Sequence, residues 1–195
     1  GSAGADDITV VGSVAVMVAG GTGDDTIDGG YGDDTIDGGA GGSDVVVFDG
    51  VQSGYTFESS TDGLTVTVTD VATSEADTIT GVETLRFGDG DITVSHANGQ
   101  LVLTGSDIGD NITVVGSVAV TVEGVGGDDT IDIVGGRGDD TIDGGAGGSD
   151  VVVFAGDQSG YTFESSPDGL TVTVTDVTTS EADTITGVET LRFGD

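Results

Sequence analysis

Residues 20–37 read GGTGDDTIDGGYGDDTID, two nine-residue units of the form Gly-Gly-x-Gly-x-Asp-x-apolar-x set head to tail. The unit returns at 135–143 as GGRGDDTID, and GGAGGSDVVVF at 38–48 is a third version in the first region with one extra residue. Glycine adopts φ > 0 without penalty, so three glycines in nine residues make a tight turn that aims carbonyl oxygens inward. The aspartate closing each turn adds a hard anionic oxygen. The apolar residue two places later, Ile27, Ile36 or Ile142, starts a short strand and points into a core. A chain of turn, short strand, turn, short strand has no room for helix, and no stretch places apolar residues at i, i+3, i+4 and i+7. The fold class read from these units is all-β.

This pattern resembles the calcium-binding nonapeptide of the RTX (repeats-in-toxin, haemolysin-type) family. The resemblance implies a right-handed parallel β-roll in which two nonapeptides make one coil and turns stack along two opposite edges. Turns n and n+2 then share a Ca²⁺, held by the sixth-position aspartate and by backbone carbonyls of the glycine turn. Carried onto this chain, the metal residues of the first region are Asp6, Gly21, Gly23, Asp25, Gly30, Gly32, Asp34, Gly39, Gly41 and Asp44. In the second region they are Gly127, Asp129, Gly136, Gly138, Asp140, Gly145, Gly147 and Asp150. Asp44 and Asp150 fall one residue late in their units, and Asp6 belongs to a degenerate unit at 1–9. Counting edges places the best-formed site between the turns of Asp25 and Asp44, and a second between those of Asp6 and Asp25. Residues 10–19 read as a rung that kept its strand and lost its calcium turn, so the Asp34 site is expected to be half-formed. The fifth-position Asp24, Asp33, Asp128 and Asp139 are expected to face solvent. Asp28, Asp37, Asp132 and Asp143, in ninth position, are expected to cover the strand surface or touch the next turn.

Composition independently calls for a cation. There are 36 acids, three basic residues (Arg86, Arg137, Arg192) and a formal net charge of −33, so self-repulsion opposes a compact state. An acidic, glycine-rich chain of this kind is a candidate for disorder, yet 35% of residues are hydrophobic and strongly patterned. The expectation is conditional folding, with Ca²⁺ as cofactor. Without cysteine there is no disulfide framework, and with one histidine besides, Zn²⁺ is disfavoured. No apolar run is long enough to span a membrane, and nucleic acid would be repelled. Expected partners are calcium ions and neighbouring repeats of the same chain, in a monomer.

The larger organisation is a tandem duplication. DITVVGSVAV at 7–16 returns as NITVVGSVAV at 111–120, and after the insertion Ile133-Val134 the copies stay in register, with Phe48, Tyr55 and Phe87 matched by Phe154, Tyr161 and Phe193. We read a first module at 1–94, a linker at 95–104 and a second module at 105–195 that stops at the equivalent of Asp89, as expected of a piece of a longer repetitive protein. Each module has a Gly/Asp-rich part and an antiparallel β extension. In the extension Leu64, Val66 and Val68 alternate with threonines, and Ser60-Thr61-Asp62-Gly63 supplies hairpin-turn chemistry. The run Val45–Phe48 reads as a strand buried on both faces. The second copy is expected to bind calcium more weakly, because Val125 stands where the first has Gly21 and a Cβ resists φ > 0.

Nothing in the chain reads as catalytic. His96 is alone in the expected linker, and no histidine or lysine base accompanies the serines and threonines of both copies. Arg86 and Arg192, at matching places, are expected to pair with a nearby carboxylate such as Glu83 or Asp77. The reading is a non-enzymatic calcium-dependent structural module of a large bacterial protein exported by type I secretion. It would fold outside the cell or at its surface, in a spacer or adhesin array. The alternative is an accessory folding and secretion domain of a secreted protease, lipase or polysaccharide-modifying enzyme whose catalytic domain lies elsewhere.

Overall fold

A computed structural model describes residues 1–194; Asp195, the expected end of the second module, lies outside the described residues. Twenty strands alternate with turns, and among the described residues no α-helix forms. The chain divides between Leu101 and Val102 into two units.

In the first unit the strands are β1 (Asp7–Thr9), β2 (Met17–Thr22), β3 (Thr26–Asp28), β4 (Thr35–Ala40), β5 (Val45–Val47), β6 (Tyr55–Ser59), β7 (Thr65–Asp70), β8 (Ala76–Thr80), β9 (Thr84–Arg86) and β10 (Asp91–Ala97). Odd and even strands of the repeat region go to different sheets. β1, β3, β5 and β9 pair in parallel, as do β2, β4 and β8. One strand per nonapeptide, dealt alternately to two parallel sheets, is the architecture of a β-roll. Register follows the apolar position of each unit. Ile8, Ile27, Val46 and Leu85 form one column and Val18, Ile36 and Ile79 the other. Ile27, Ile36, Val46, Ile79 and Leu85 are all buried, so the core is two facing columns of β-branched and leucine side chains.

The extension then turns antiparallel, β6 on β7 on β8. The β6–β7 turn is closed by Gly63 N–H donating to Ser60 O, with Asp62 Oδ1 accepting from Ser60 Oγ and from Leu64 N–H. That last bond holds Leu64 in the turn. The strand starts at Thr65, burying Val66 and Val68 and leaving Leu64 56% exposed, so Leu64 does not share their buried face as the alternation suggests. The run Val45–Val47 is likewise a half-buried strand, with only Val46 buried, because pleating sends its neighbours to the outer face. Phe48, Tyr55 and Phe87 pack at ring centroid distances of 5.1–5.3 Å, and Phe57 meets Phe87 edge-on at 6.0 Å. Arg86 pairs with Asp91 at 3.2 Å, on the adjoining strand, in place of Glu83 or Asp77.

Residues 95–104, expected as a linker, are strand. β10 pairs antiparallel with β9, Asn98 and Gly99 both take positive φ in a tight turn, and β11 (Gln100–Thr104) follows. His96 lies exposed on β10.

The second unit contains β12 (Asn111–Gly116), β13 (Thr121–Glu123), β14 (Thr130–Gly136), β15 (Thr141–Asp143), β16 (Val151–Val153), β17 (Tyr161–Ser165), β18 (Thr171–Asp176), β19 (Ala182–Thr186) and β20 (Thr190–Arg192). β11, β13, β15 and β19 are parallel, with β18 and β17 added antiparallel; β12, β14, β16 and β20 form the other parallel set. The insertion Ile133-Val134 is absorbed within β14, where register to β12 shifts between Thr113 and Val115.

Candidate metal centre

The turns stack so closely that only glycine fits at several steps. In the first unit a Cβ on Gly20 would lie 2.3 Å from Gly38 O, one on Gly38 2.1 Å from Gly81 O, and one on Gly39 2.2 Å from Gly21 O. The second unit repeats this, with Gly124 against Gly144 O at 2.4 Å and Gly144 against Gly187 O at 2.2 Å. All of these approaches lie on one edge of each roll, which is therefore lined by carbonyl oxygens in columns. Gly23, Gly30, Gly32, Gly127, Gly138 and Gly145 also meet backbone of the preceding rung within 3.0 Å. Gly41 and Gly147 do not, having open space around them; the extra residue of their units hands the close approach to Gly42 and Gly148. Gly136 sits more loosely, 3.4 Å from the nearest atom, beside the two-residue insertion.

A carboxylate ladder runs beside the carbonyls. Asp6 N–H donates to Asp25 Oδ1 at 2.7 Å, Asp25 N–H to Asp44 Oδ1 at 2.8 Å, and Asp44 N–H to Glu83 Oε2 at 2.8 Å. On the opposite edge Val16 N–H donates to Asp34 Oδ1 and Asp34 N–H to Asp77 Oδ1, both at 2.9 Å. The second unit has the series Asp110, Asp129, Asp150, Glu189 on one edge, at 2.8, 2.9 and 2.8 Å. On its other edge the series is Val120, Asp140, Asp183, at 2.8 and 2.9 Å. Residues 10–16 hold no carboxylate and place Val10 O and Gly12 O beside Gly30, so on that side the Asp34 rung faces backbone oxygen.

Using one oxygen for the ladder leaves the other. Asp25, Asp34 and Asp129 are buried, and the Oδ2 atom of each has no hydrogen-bond partner. A buried carboxylate oxygen without a partner is strongly disfavoured. Among the described residues no three His, Cys, Asp or Glu side chains gather into a cluster, so an ion here would draw on backbone oxygen as well as single carboxylates. Mixed carbonyl and carboxylate oxygen is the donor set of Ca²⁺. The residues fit that ion.

Where a ladder begins with an aspartate, the spare oxygen of that first residue is otherwise engaged. Asp6 accepts from Ser2 N–H and Ser2 Oγ, and Asp110 from Ser106 N–H and Oγ. The Ser2 backbone donor chiefly holds the Asp6 carboxyl below the usual range. Asp110 was missed by the nonapeptide pattern, although the copy shift from Asp6 points to it. Asp77, Asp183, Glu83 and Glu189 were missed because they lie outside any nonapeptide and reach the ladder only by folding. The fifth-position aspartates are exposed but engaged: Asp24, Asp33, Asp128 and Asp139 accept from Ser43, Ala76, Ser149 and Ala182 N–H. Of the ninth-position residues, Asp28, Asp132 and Asp143 cap the turn that follows.

Burial pushes the Asp77 and Asp129 carboxyls up to about 6 and Asp183 to about 7, and also raises Asp44 and Asp140. A folded-state pKa above the unfolded one means that the fold holds protons more tightly. The stability this gives is full below about 4, the ordinary carboxylate range, and is lost as pH rises through 6–7. In chelator, the ordered fraction is expected to be larger at pH 5 than at pH 7.5, and the calcium midpoint to rise as pH falls through 6. Circular dichroism at the two pH values checks this; a pH-independent spectrum in chelator contradicts it.

Val125 takes φ +80° while its carbonyl still accepts from Ala146 N–H at 2.8 Å. The stacking role survives and the side chain carries the strain, of about 1–2 kcal/mol. Val125→Gly is expected to raise the thermal midpoint in calcium by a few degrees, the gain being partly offset by about 0.5–1 kcal/mol of glycine entropy. An unchanged or lower midpoint would show that the strain is absorbed.

The RTX calcium-binding nonapeptide repeat model (HemolysinCabind) matches residues 17–45 and 123–152, in four copies. No curated protein matches the chain. Among solved structures, the crystal structure of the extracellular lipase LipA from Serratia marcescens is similar, at 19% identity and a TM-score of 0.40. That alignment covers 95% of this chain and 37% of the lipase, so the chain spans little more than a third of its length.

Proposed function

Because the chain carries RTX calcium-binding nonapeptide repeats over 17–45 and 123–152, we propose that it is a structural module whose folding is driven by calcium, within a larger secreted or cell-surface bacterial protein. The observation that carries this reading is the set of buried, unpartnered Oδ2 atoms of Asp25, Asp34 and Asp129 beside columns of carbonyl oxygen. Bound Ca²⁺ supplies the positive charge that these oxygens lack. The chain's own residues do the rest. The glycine turns hold the carbonyls in columns, the Oδ1 atoms fix the spacing between rungs, and the isoleucine columns exclude water from the inner side. Binding to the folded form alone adds about 2.7 kcal/mol per site at one hundred times the dissociation constant, so a few sites act together as a folding switch. In cytosol, where free Ca²⁺ is scarce, the chain stays extended and threadable; at millimolar Ca²⁺ outside, it folds.

In this reading the module performs no chemistry of its own and serves as a spacer in an array. The test is a calcium titration of the folded fraction. A midpoint between roughly 10⁻⁴ and 10⁻³ M, the range of extracellular modules, supports it. Folding that is complete below a micromolar overturns it.

A further inference from the structure

Each unit holds a concavity, walled partly by aromatic rings, which the glycine turns border but do not fill. In the first unit it measures about 240 Å³, with Ile36, Val46, Phe48 and Tyr55 in its wall. The Phe48 and Tyr55 rings lie 5.3 Å apart, and the Tyr55 hydroxyl donates to Asp49 O, which fixes that ring in place. Tyr31, 58% exposed, lines the solvent side. Five acids also line the cavity, Asp28, Asp49, Asp70, Glu75 and Asp77, and no basic residue does. Of these only Asp77 belongs to the carboxylate ladder. Their fields converge on the wall: burial first, then the charges of Asp70, Asp49 and Asp77, pushes the Tyr55 phenol up to about 12.

The second unit has the same concavity, about 200 Å³, with Phe154, Tyr161, Asp176, Glu181 and Asp183 at the matching places. Two differences change its charge: Ala155 stands for Asp49 and Arg137 for Tyr31, so three acids share the wall with a base. The backbone is unaltered by the exchange, since Tyr31 N–H donates to Gly12 O and Arg137 N–H to the equivalent Gly116 O. The Thr178 hydroxyl chiefly holds the Asp176 carboxyl below its usual range, and the charge of Arg137 adds to this. The second cavity thus carries a guanidinium on its own chain; the first has more acids and none.

Acids dispersed around an apolar wall do not suit a bare divalent ion, which needs roughly six to eight convergent oxygens. Among the described residues no three acidic side chains gather closely enough to hold a metal. They suit a broad, weakly hydrated cation that stacks on aromatic rings and donates several hydrogen bonds, which describes a guanidinium. We infer that the cavity of the first unit binds a guanidinium on a short apolar stem, supplied from outside the chain where Arg137 serves the second unit. Its charge is met by the acids, its plane by the rings and its stem by Ile36 and Val46. An arginine side chain of another protein and a free alkylguanidine share this chemistry.

The test uses the full chain in millimolar calcium and physiological salt, with β structure verified in parallel, so that loss of the fold is distinguished from loss of the site. Butylguanidinium and the blocked tripeptide Ala-Arg-Ala are titrated separately, with the tyrosine ring signals in NMR as the readout. Saturable shifts are expected at Tyr31 and Tyr55 and not at Tyr161. A response to the tripeptide identifies a protein side chain as the source, and a response to butylguanidinium alone identifies a small molecule. Tyr31→Arg is expected to weaken binding, read at Tyr55, by at least about tenfold, because it sets a like charge at the site. Pentanamide, neutral and of similar size, is expected to shift neither ring. Absence of saturable shifts, equal shifts at Tyr55 and Tyr161, undiminished binding by Tyr31→Arg, or an equal response to pentanamide overturns the inference.

Discussion

Chelation with excess EDTA is expected to convert the far-UV spectrum from β-type to coil, and millimolar Ca²⁺ to restore it. Two costs act together without the ion. The chain carries a net charge of −33, and self-repulsion at that density favours expansion. The fold also buries the Oδ2 atoms of Asp25, Asp34 and Asp129 without partners, at about 1–3 kcal/mol each and more where charged. A typical domain is stable by only about 5–15 kcal/mol, so these terms are large enough to decide the outcome. Mg²⁺ is expected to be far less effective, since it demands tight octahedral geometry and gives up water reluctantly, whereas stacked carbonyls are spaced by the backbone. A full β spectrum in EDTA would sink the conditional-folding reading.

Asp25→Ala is expected to raise the calcium midpoint of folding at least tenfold, equivalent to about 1.4 kcal/mol, and Asp24→Ala no more than about threefold. Asp25 is fully buried, accepts from Asp6 N–H and presents Oδ2 beside Gly20, so its loss removes the proposed ion ligand and strands a backbone donor. Asp24 is exposed and loses one bond, from Ser43 N–H, that water can replace. Adjacent residues of identical chemistry thus separate phase from composition. Equal midpoints would mean that the ladder does not carry the ion.

The repeat region was legible because its pattern is local. Ile27, Ile36 and Ile142 mark the core by position within nine residues, and the Ser60–Gly63 turn by its own side chains. What could not be read depended on partners distant in sequence. Nothing near Asp77 or Glu83 resembles a metal turn; they join the ladder because β8 and β9 continue the two parallel sheets, setting Gly81 O on the carbonyl column. The strands within 95–104 were hidden by SHANGQ, whose polar residues suggest a connection, although Asn98-Gly99 is a hairpin signal in its own right. Val45–Val47 was over-read because a continuous apolar run does not say how many faces are covered, and Leu64 because alternation does not mark where a turn releases the strand.

The hydrogen bonds of the buried carboxylate ladder all point the same way: each N–H is received by a carboxylate later in the chain. The roll is thus polar in the sense that a filament is, and its two ends present different defects. The N-terminal end has a surplus acceptor, which Ser2 and Ser106 fill with donors. The C-terminal end has a surplus donor, which Glu83 and Asp77, or Glu189 and Asp183, receive. Between these terminators every coil offers its successor the interface that it received from its predecessor. Pairs of nonapeptides can be added or deleted there without disturbing either terminator, while a single nonapeptide would exchange the two edges and mismatch both. Roll length is consequently a free variable in steps of two units, which gives recombination between near-identical copies a way to change the reach of the protein without inventing a new fold.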